Sequence, residues 1–291
     1  MGFGIALAGG GTRGTAHVGV LLALEEAGLR PRVVAGASAG AIVGGLYAAG
    51  LPAKRLCDLV RGLQKKGKQL IDPDYLGLLR AVFQFLTFRT PTVQGLIKGE
   101  RLERFLCGLT GGMTVRGTIK ASGIGVLIPA VDIRTGDTVV YCSDTGAAWP
   151  LPCVRWQSEA LLCAAMRASA SVPGIFRPKG MDGGCLVDGG ITDNLPVNLL
   201  AAAGEREILA VDVSEEYTMP ETENLIGVAS HAFTIMSSRL KELVSTKERL
   251  LLHPELPKEA GLLTFEHMAA CMEAGYDCAR AELSAIRYLF G

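Results

Sequence analysis

At 291 residues the chain is long enough to bury a sizeable core in one large domain. Its 29 basic and 29 acidic side chains cancel, so there is no electrostatic footprint for a nucleic-acid partner. With 49% hydrophobic and 20% charged residues, the mean hydropathy of +0.31 is high enough to make contact with lipid or a large partner an expectation.

The N-terminal run MGFGIALA has neither the basic region nor the cleavage site of a secretory leader and reads as a first strand, Phe3 to Ala8. A glycine loop follows, then a helix from about Gly14 to Ala27, closed by Gly28 and Pro31. Val33 to Gly36 reads as a second strand and Ala39 to Ala49 as a second helix, ended by Gly50 and Pro52. Residues 33–53 carry no charge and are long enough for a membrane span, but a β run broken by a glycine turn argues against one.

The stretch YLGLLRAVFQFLTF, Tyr75 to Phe88, is too short to span; it reads either as a helix packed on the core or as a lid or membrane-contacting surface. Further strands are expected at Gly123–Val131, Thr138–Tyr141, Cys185–Val187, Ile208–Val213 and Leu250–Leu252. Helices are expected at Ser158–Ala168, Leu225–Glu248 and Leu263–Leu289. No linker or repeat divides residues 1–291, so one domain is expected, with a motif-bearing core over about 3–213 and a helical part over about 214–291. Alternating strands and helices predict an α/β fold, whose ligand site lies at the carboxyl ends of parallel strands.

Two glycine turns fall at those ends. GASAG, Gly36 to Gly40, matches G-x-S-x-G between a strand and a helix, which makes Ser38 the candidate nucleophile. Gly36 and Gly40 are small because the turn is tight. GGGTRG, Gly9 to Gly14, opens a helix with its amides outward and the helix dipole behind them, suiting it to stabilise a developing oxyanion. Arg13 could face a lipid phosphate or pair with a carboxylate. The same run also fits a dinucleotide fingerprint, but the second strand ends in GASAG rather than in an acidic residue, so no nucleotide is expected.

The base is sought first among four histidines, His17, His231, His253 and His267. His17 reads as a core residue of the first helix; His253, at a strand end before Pro254, is the best of the others. Carboxylates suit the role better. Asp182 sits in a hairpin turn signal. Asp188 ends an apolar strand ahead of Gly189 and Gly190, and burial would raise its pKa toward that of a useful base.

Eight cysteines without CxxC or zinc spacing read as reduced thiols of a cytoplasmic protein, and no metal is expected.

GGGTRG, GASAG and LVDGGITDNLP, in that order, resemble the patatin-like phospholipase family, as do GLIKGERLERFL at 95–106 and ASASVPGIFRPK at 168–179. Within it the bacterial branch, related to the neuropathy target esterase catalytic domain, is the most similar over the first fifty residues. The resemblance implies a three-layer α/β/α sandwich with a mainly parallel central sheet, and a lipid acyl hydrolase with a Ser38–Asp188 dyad. It also implies oxyanion donors from Gly9, Gly10, Gly11 and Thr12, supported by Arg13, Gly14, Gly36, Gly40, Gly189 and Gly190. Plant patatins carry Asp where this chain has Ala8, a departure that touches loop geometry. No cofactor is implied. The expected partner is a phospholipid or lysophospholipid at a membrane surface touched transiently, with the protein cytoplasmic or peripheral and its oligomeric state open. A silent lipid-binding protein and a lipid acyltransferase remain as alternatives.

Overall fold

A computed structural model of the chain describes residues 2–90, 92–144, 149–214 and 247–291, with isolated residues between 232 and 240. Most of the expected helix over Leu225–Glu248, and His231, lie outside the described residues.

Strand β1 (Gly4–Leu7) leads through a 3-10 turn (Gly11–Thr15) into α1 (Ala16–Glu26), and β2 (Val33–Gly36) leads into α2 (Ala39–Ala48). Helices α3 (Ala53–Lys66) and α4 (Tyr75–Leu86), strand β3 (Gly95–Ile97), and helices α5 (Glu100–Thr110) and α6 (Gly117–Ser122) make up a long excursion before β4 (Gly125–Asp132). Then come β5 (Thr138–Cys142), β6 (Val154–Gln157), α7 (Leu162–Ser169), β7 (Gly174–Phe176), β8 (Lys179–Met181), β9 (Gly184–Asp188), α8 (Val197–Ala202) and β10 (Ile208–Val211). The described chain closes with β11 (Leu250–Leu252), α9 (Met268–Ala281) and α10 (Leu283–Phe290).

The main sheet runs β11-β10-β1-β2-β4-β5-β6, with β9 on β4 and β8 on β9. The pairs from β11 to β4 are parallel, as is β5 with β6, while β4–β5, β4–β9 and β8–β9 are antiparallel. The mainly parallel α/β reading therefore holds. Helices α1 and α2, which follow the parallel neighbours β1 and β2, touch each other, and α8 packs on β1, β2 and β10. Because β1, β2, β4 and β10 are covered on both faces, their residues form near-continuous apolar runs, buried at nearly every position.

Met181 and Gly184 pair across a two-residue turn in which Asp182 and Gly183 both have positive φ, 55° and 75°, so the hairpin expected at Asp182 is present. Two expectations are corrected. The helix placed over Leu263–Leu289 is a 3-10 turn at Phe265–His267 followed by two helices, because the chain breaks at Glu282. The cysteines are not all reduced: Cys107 on α5 and Cys163 on α7 form a disulfide, since the two helices pack side by side.

Candidate active site

β1 and β2 end side by side, Leu7 opposite Gly36, so the glycine loop and the serine turn open at one sheet edge. The turn is drawn tight by contact. A Cβ on Gly36 would fall on the carbonyl of Gly40, and one on Gly40 on the carbonyls of Leu7 and Ala8. Between them Ser38 has φ 51° and ψ −117°, a conformation costing a non-glycine residue about 1–3 kcal/mol. Serine at a helix N-cap ordinarily accepts a bond from the first helical turn; the Ser38 hydroxyl makes no such bond. Its backbone N–H instead donates to Ser169 Oγ at 3.0 Å.

Asp188, the last residue of β9, is held opposite Ala130 of β4, and its N–H donates to the Ser171 carbonyl at 3.0 Å. Its carboxyl is 1% exposed. Oδ1 accepts the Gly190 N–H at 2.8 Å, while Oδ2 is buried without a partner in hydrogen-bonding geometry among the described residues. Burial raises the carboxyl pKa to about 7, against smaller opposing effects of the Ser38 hydroxyl and the Gly190 amide. The hydroxyl is therefore close enough to favour the ionised carboxylate without saturating Oδ2. Gly189 is fixed by close approach to the Pro129 carbonyl.

The end of α7 and the residues just after it thus hold both groups, Ser169 taking the Ser38 amide and Ser171 the Asp188 amide. Arg167, buried in α7, fixes this segment in turn. It donates to the carbonyls of Lys98, Gly99 and Arg177 and to Ser171 Oγ.

In the glycine loop, the Gly9 N–H donates to the Asn194 carbonyl and the Thr12 N–H to the carbonyls of Gly261 and Leu262. These two amides, expected as oxyanion donors, are already engaged. The amides of Gly10 and Gly11 have no such partner among the described residues, and neither does that of Ala39, next to Ser38. Arg13 is directed at the carbonyls of Val213, Ser214 and Ala260, tying the loop to the end of β10, so it supports the loop rather than reaching toward a phosphate. Gly14 abuts Ala39 and brings the starts of α1 and α2 together.

His17 is fully buried, its Nε2 at 2.8 Å from the Ala8 carbonyl oxygen, and burial lowers its pKa to about 4, so it is a neutral core residue. His253 faces Asp212 across 3.7 Å beside the sheet edge. His267 belongs to the 3-10 turn before α9. Among the described residues no histidine hydrogen-bonds Ser38.

A cavity of about 190 Å³ opens at Ser38 and the loop residues Gly11 and Thr12, and its walls are almost wholly apolar, among them Ile42, Leu46, Val60, Leu102, Phe105 and Phe265. Its apolar lining suits a hydrocarbon chain with its polar end at the serine.

Sequence reasoning did not single out Ser169, Ser171, Asn194 or Arg167 as site residues. The segment ASASVP carried a signal only as part of a resemblance.

Fold and site together define an α/β protein that presents a strained serine at a strand–helix elbow, beside a buried carboxylate and above an apolar cavity. Residues 5–201, more than half of the chain, match the patatin-like phospholipase family, and the chain belongs to it. Among its relatives, a lysophospholipase NTE1 of Mycosarcoma maydis is 32% identical over 73% of this chain and 10% of its own length. One of Saccharomyces cerevisiae is 30% identical over 88% of this chain and 13% of its own. An uncharacterised NTE family protein of Mycobacterium tuberculosis is 27% identical over 97% of this chain and 46% of its own. The chain thus spans less than half the length of these curated relatives. The crystal structure of VipD from Legionella pneumophila shares the fold, with a TM-score of 0.52 and 16% identity over 98% of this chain and 67% of its own.

Proposed function

We propose that this chain is a serine esterase that cleaves acyl esters of phospholipids or lysophospholipids through a Ser38–Asp188 dyad and an acyl-enzyme. The observation that carries the reading is the strained Ser38 beside a buried carboxyl whose pKa is about 7, at the mouth of an apolar cavity. A base poised near neutral pH needs no imidazole. The relatives named lysophospholipases support a lipid ester as substrate.

In the first half-reaction Ser38 Oγ bonds to the ester carbonyl carbon while its proton passes to Asp188. The oxyanion forms against the Gly10 and Gly11 amides, each donor of this kind lowering the barrier by about 3–4 kcal/mol. Collapse breaks the carbon–oxygen bond of the ester, and the departing alcohol takes the proton from Asp188. Water then attacks the acyl-Ser38 carbon, giving its proton to Asp188, and the fatty acid leaves as Ser38 recovers a proton. The acyl chain lies in the cavity, and the head group stays outside it.

Among the described residues no helix is long and apolar enough to cross a membrane; the proposed substrate lies at a membrane surface. The Cys107–Cys163 bond removes the cysteine argument for a reducing compartment, and the proposed location is that surface alone.

Hydrolysis of a p-nitrophenyl acyl ester tests the reading. Ser38→Ala and Asp188→Ala should each lose at least about a thousandfold in kcat. Variants at His17, His231, His253 and His267 that fold should keep the chemical step. Loss of activity in a folded His253 variant would point to a histidine base instead.

A further inference from the structure

Helix α4 is built unlike the rest of the molecule. Leu76, Leu79, Phe83 and Leu86 form a stripe at helical spacing, yet each is 64% or more exposed, with Phe85 and Phe88 beside them equally open. The helix packs extensively on no other described element, so the core-packed reading of Tyr75–Phe88 fails. A soluble surface seldom leaves so many large apolar side chains together in water.

Charge around the helix is one-sided. Residues 62–99 contain six basic side chains, Lys65, Lys66, Lys68, Arg80, Arg89 and Lys98, and two acids, Asp72 and Asp74, a balance of 6 − 2 = +4 in a chain of zero net charge. Five of the six cations are exposed and the sixth is half-buried. Both acids are buried and turned inward: Asp72 accepts the amides of Gly99, Glu100 and Arg101, and Asp74 caps α4 through the Gly77 amide and pairs with Arg177.

Along the chain this segment adjoins the cavity wall. Leu59 and Leu63 of α3 and Leu70 and Ile71 after it line the cavity, while Lys65, Lys66 and Lys68 lie between them in the chain and α4 begins four residues beyond Ile71.

We propose that α4 and the basic segment 65–68 form a docking face for an anionic phospholipid bilayer. The apolar stripe lies in the interface plane and the lysines meet lipid phosphates, as an amphipathic helix with cationic flanks does at such a surface. Docking brings the cavity walls against the acyl layer. The proposal rests on the lipid-esterase reading only for its purpose; the binding itself does not require turnover.

Flotation with vesicles of phosphatidylcholine alone, and with part of it replaced by phosphatidylglycerol, tests it on the full chain. The wild type should bind the mixed vesicles and release them as salt rises. The triple variant Lys65→Gln, Lys66→Gln, Lys68→Gln should bind them on the order of a hundredfold more weakly, each cation near the surface contributing about fivefold. Leu79→Glu with Phe83→Glu should abolish binding. Both variants should hydrolyse a soluble p-nitrophenyl ester at the wild-type rate. Equal wild-type binding to both vesicles, binding to neither, or an unaffected lysine variant would overturn the proposal. So would a concentration-dependent dimer dissolved by Leu79→Glu and Phe83→Glu, which would make a second copy the cover. Vesicle binding by a wild type inert toward the soluble ester would leave docking standing and the esterase reading fallen.

Discussion

Ser38 and Asp188 are held by neighbours that carry no reactive group. Removing the Ser169 hydroxyl leaves the Ser38 amide without its acceptor in a backbone already away from its comfortable range. Ser169→Ala should lower kcat by about tenfold to a hundredfold with KM little changed, the signature of lost positioning, while thermal unfolding shows the fold intact. Asp188 leaves two pH signatures. With its pKa near 7, kcat/KM should rise as pH climbs through about 7 under the proposed role of the carboxylate as base. Its folded pKa lies above the ordinary value of 3.8, so folding favours the protonated form and stability falls as pH rises from about 4 to 7. Asp188→Asn should therefore be more stable than the wild type by up to about 4 kcal/mol above pH 7 and no more stable below pH 4, as read by denaturant melts at the two pH values. At this scale the sequence carried the two residues proposed as nucleophile and base, because a glycine-framed turn after a strand is a local pattern. It did not carry the engaged amides of Gly9 and Thr12, whose partners come from residues 194 and 261–262.

Between elements, close approach is written in glycine. Gly19 on α1 meets the Met272 carbonyl of α9, and Gly275 on α9 meets the Ala16 carbonyl of α1, so a Cβ at either position would drive the two helices apart. Gly275→Ala should destabilise the fold by about 1–3 kcal/mol, measured by chemical unfolding, although alanine is the better helix former. Strands β1, β2 and β10 were legible as apolar runs, since burial on both faces leaves few polar positions. Helices α3 and α5, with mixed composition, were not singled out, and their apolar sides became visible only as walls of the cavity. Helix α4 was visible as an apolar segment, but whether it faced core or solvent depended on what lay opposite, which no single segment states.

For the whole molecule, the disulfide is the feature that local reading could not reach. Cys107 and Cys163 are 56 residues apart and meet because α5 packs on α7, the helix that ends at Ser169, two residues before Ser171. Closing a loop of that length contributes about 4 kcal/mol by restricting the unfolded chain. Cys107→Ser with Cys163→Ser, or a reducing agent acting on the wild type, should lower the unfolding midpoint accordingly in a denaturant melt. The central claim is that one buried carboxylate, without an imidazole, activates Ser38. The most direct measurement is the rate at which a fluorophosphonate adds to the folded protein, with the adduct located by peptide mass spectrometry. A single adduct on Ser38, forming at the wild-type rate in His253→Ala and at least about a hundredfold more slowly in Asp188→Asn, is the predicted result. An adduct that forms equally fast in Asp188→Asn, or that sits on another residue, would contradict it.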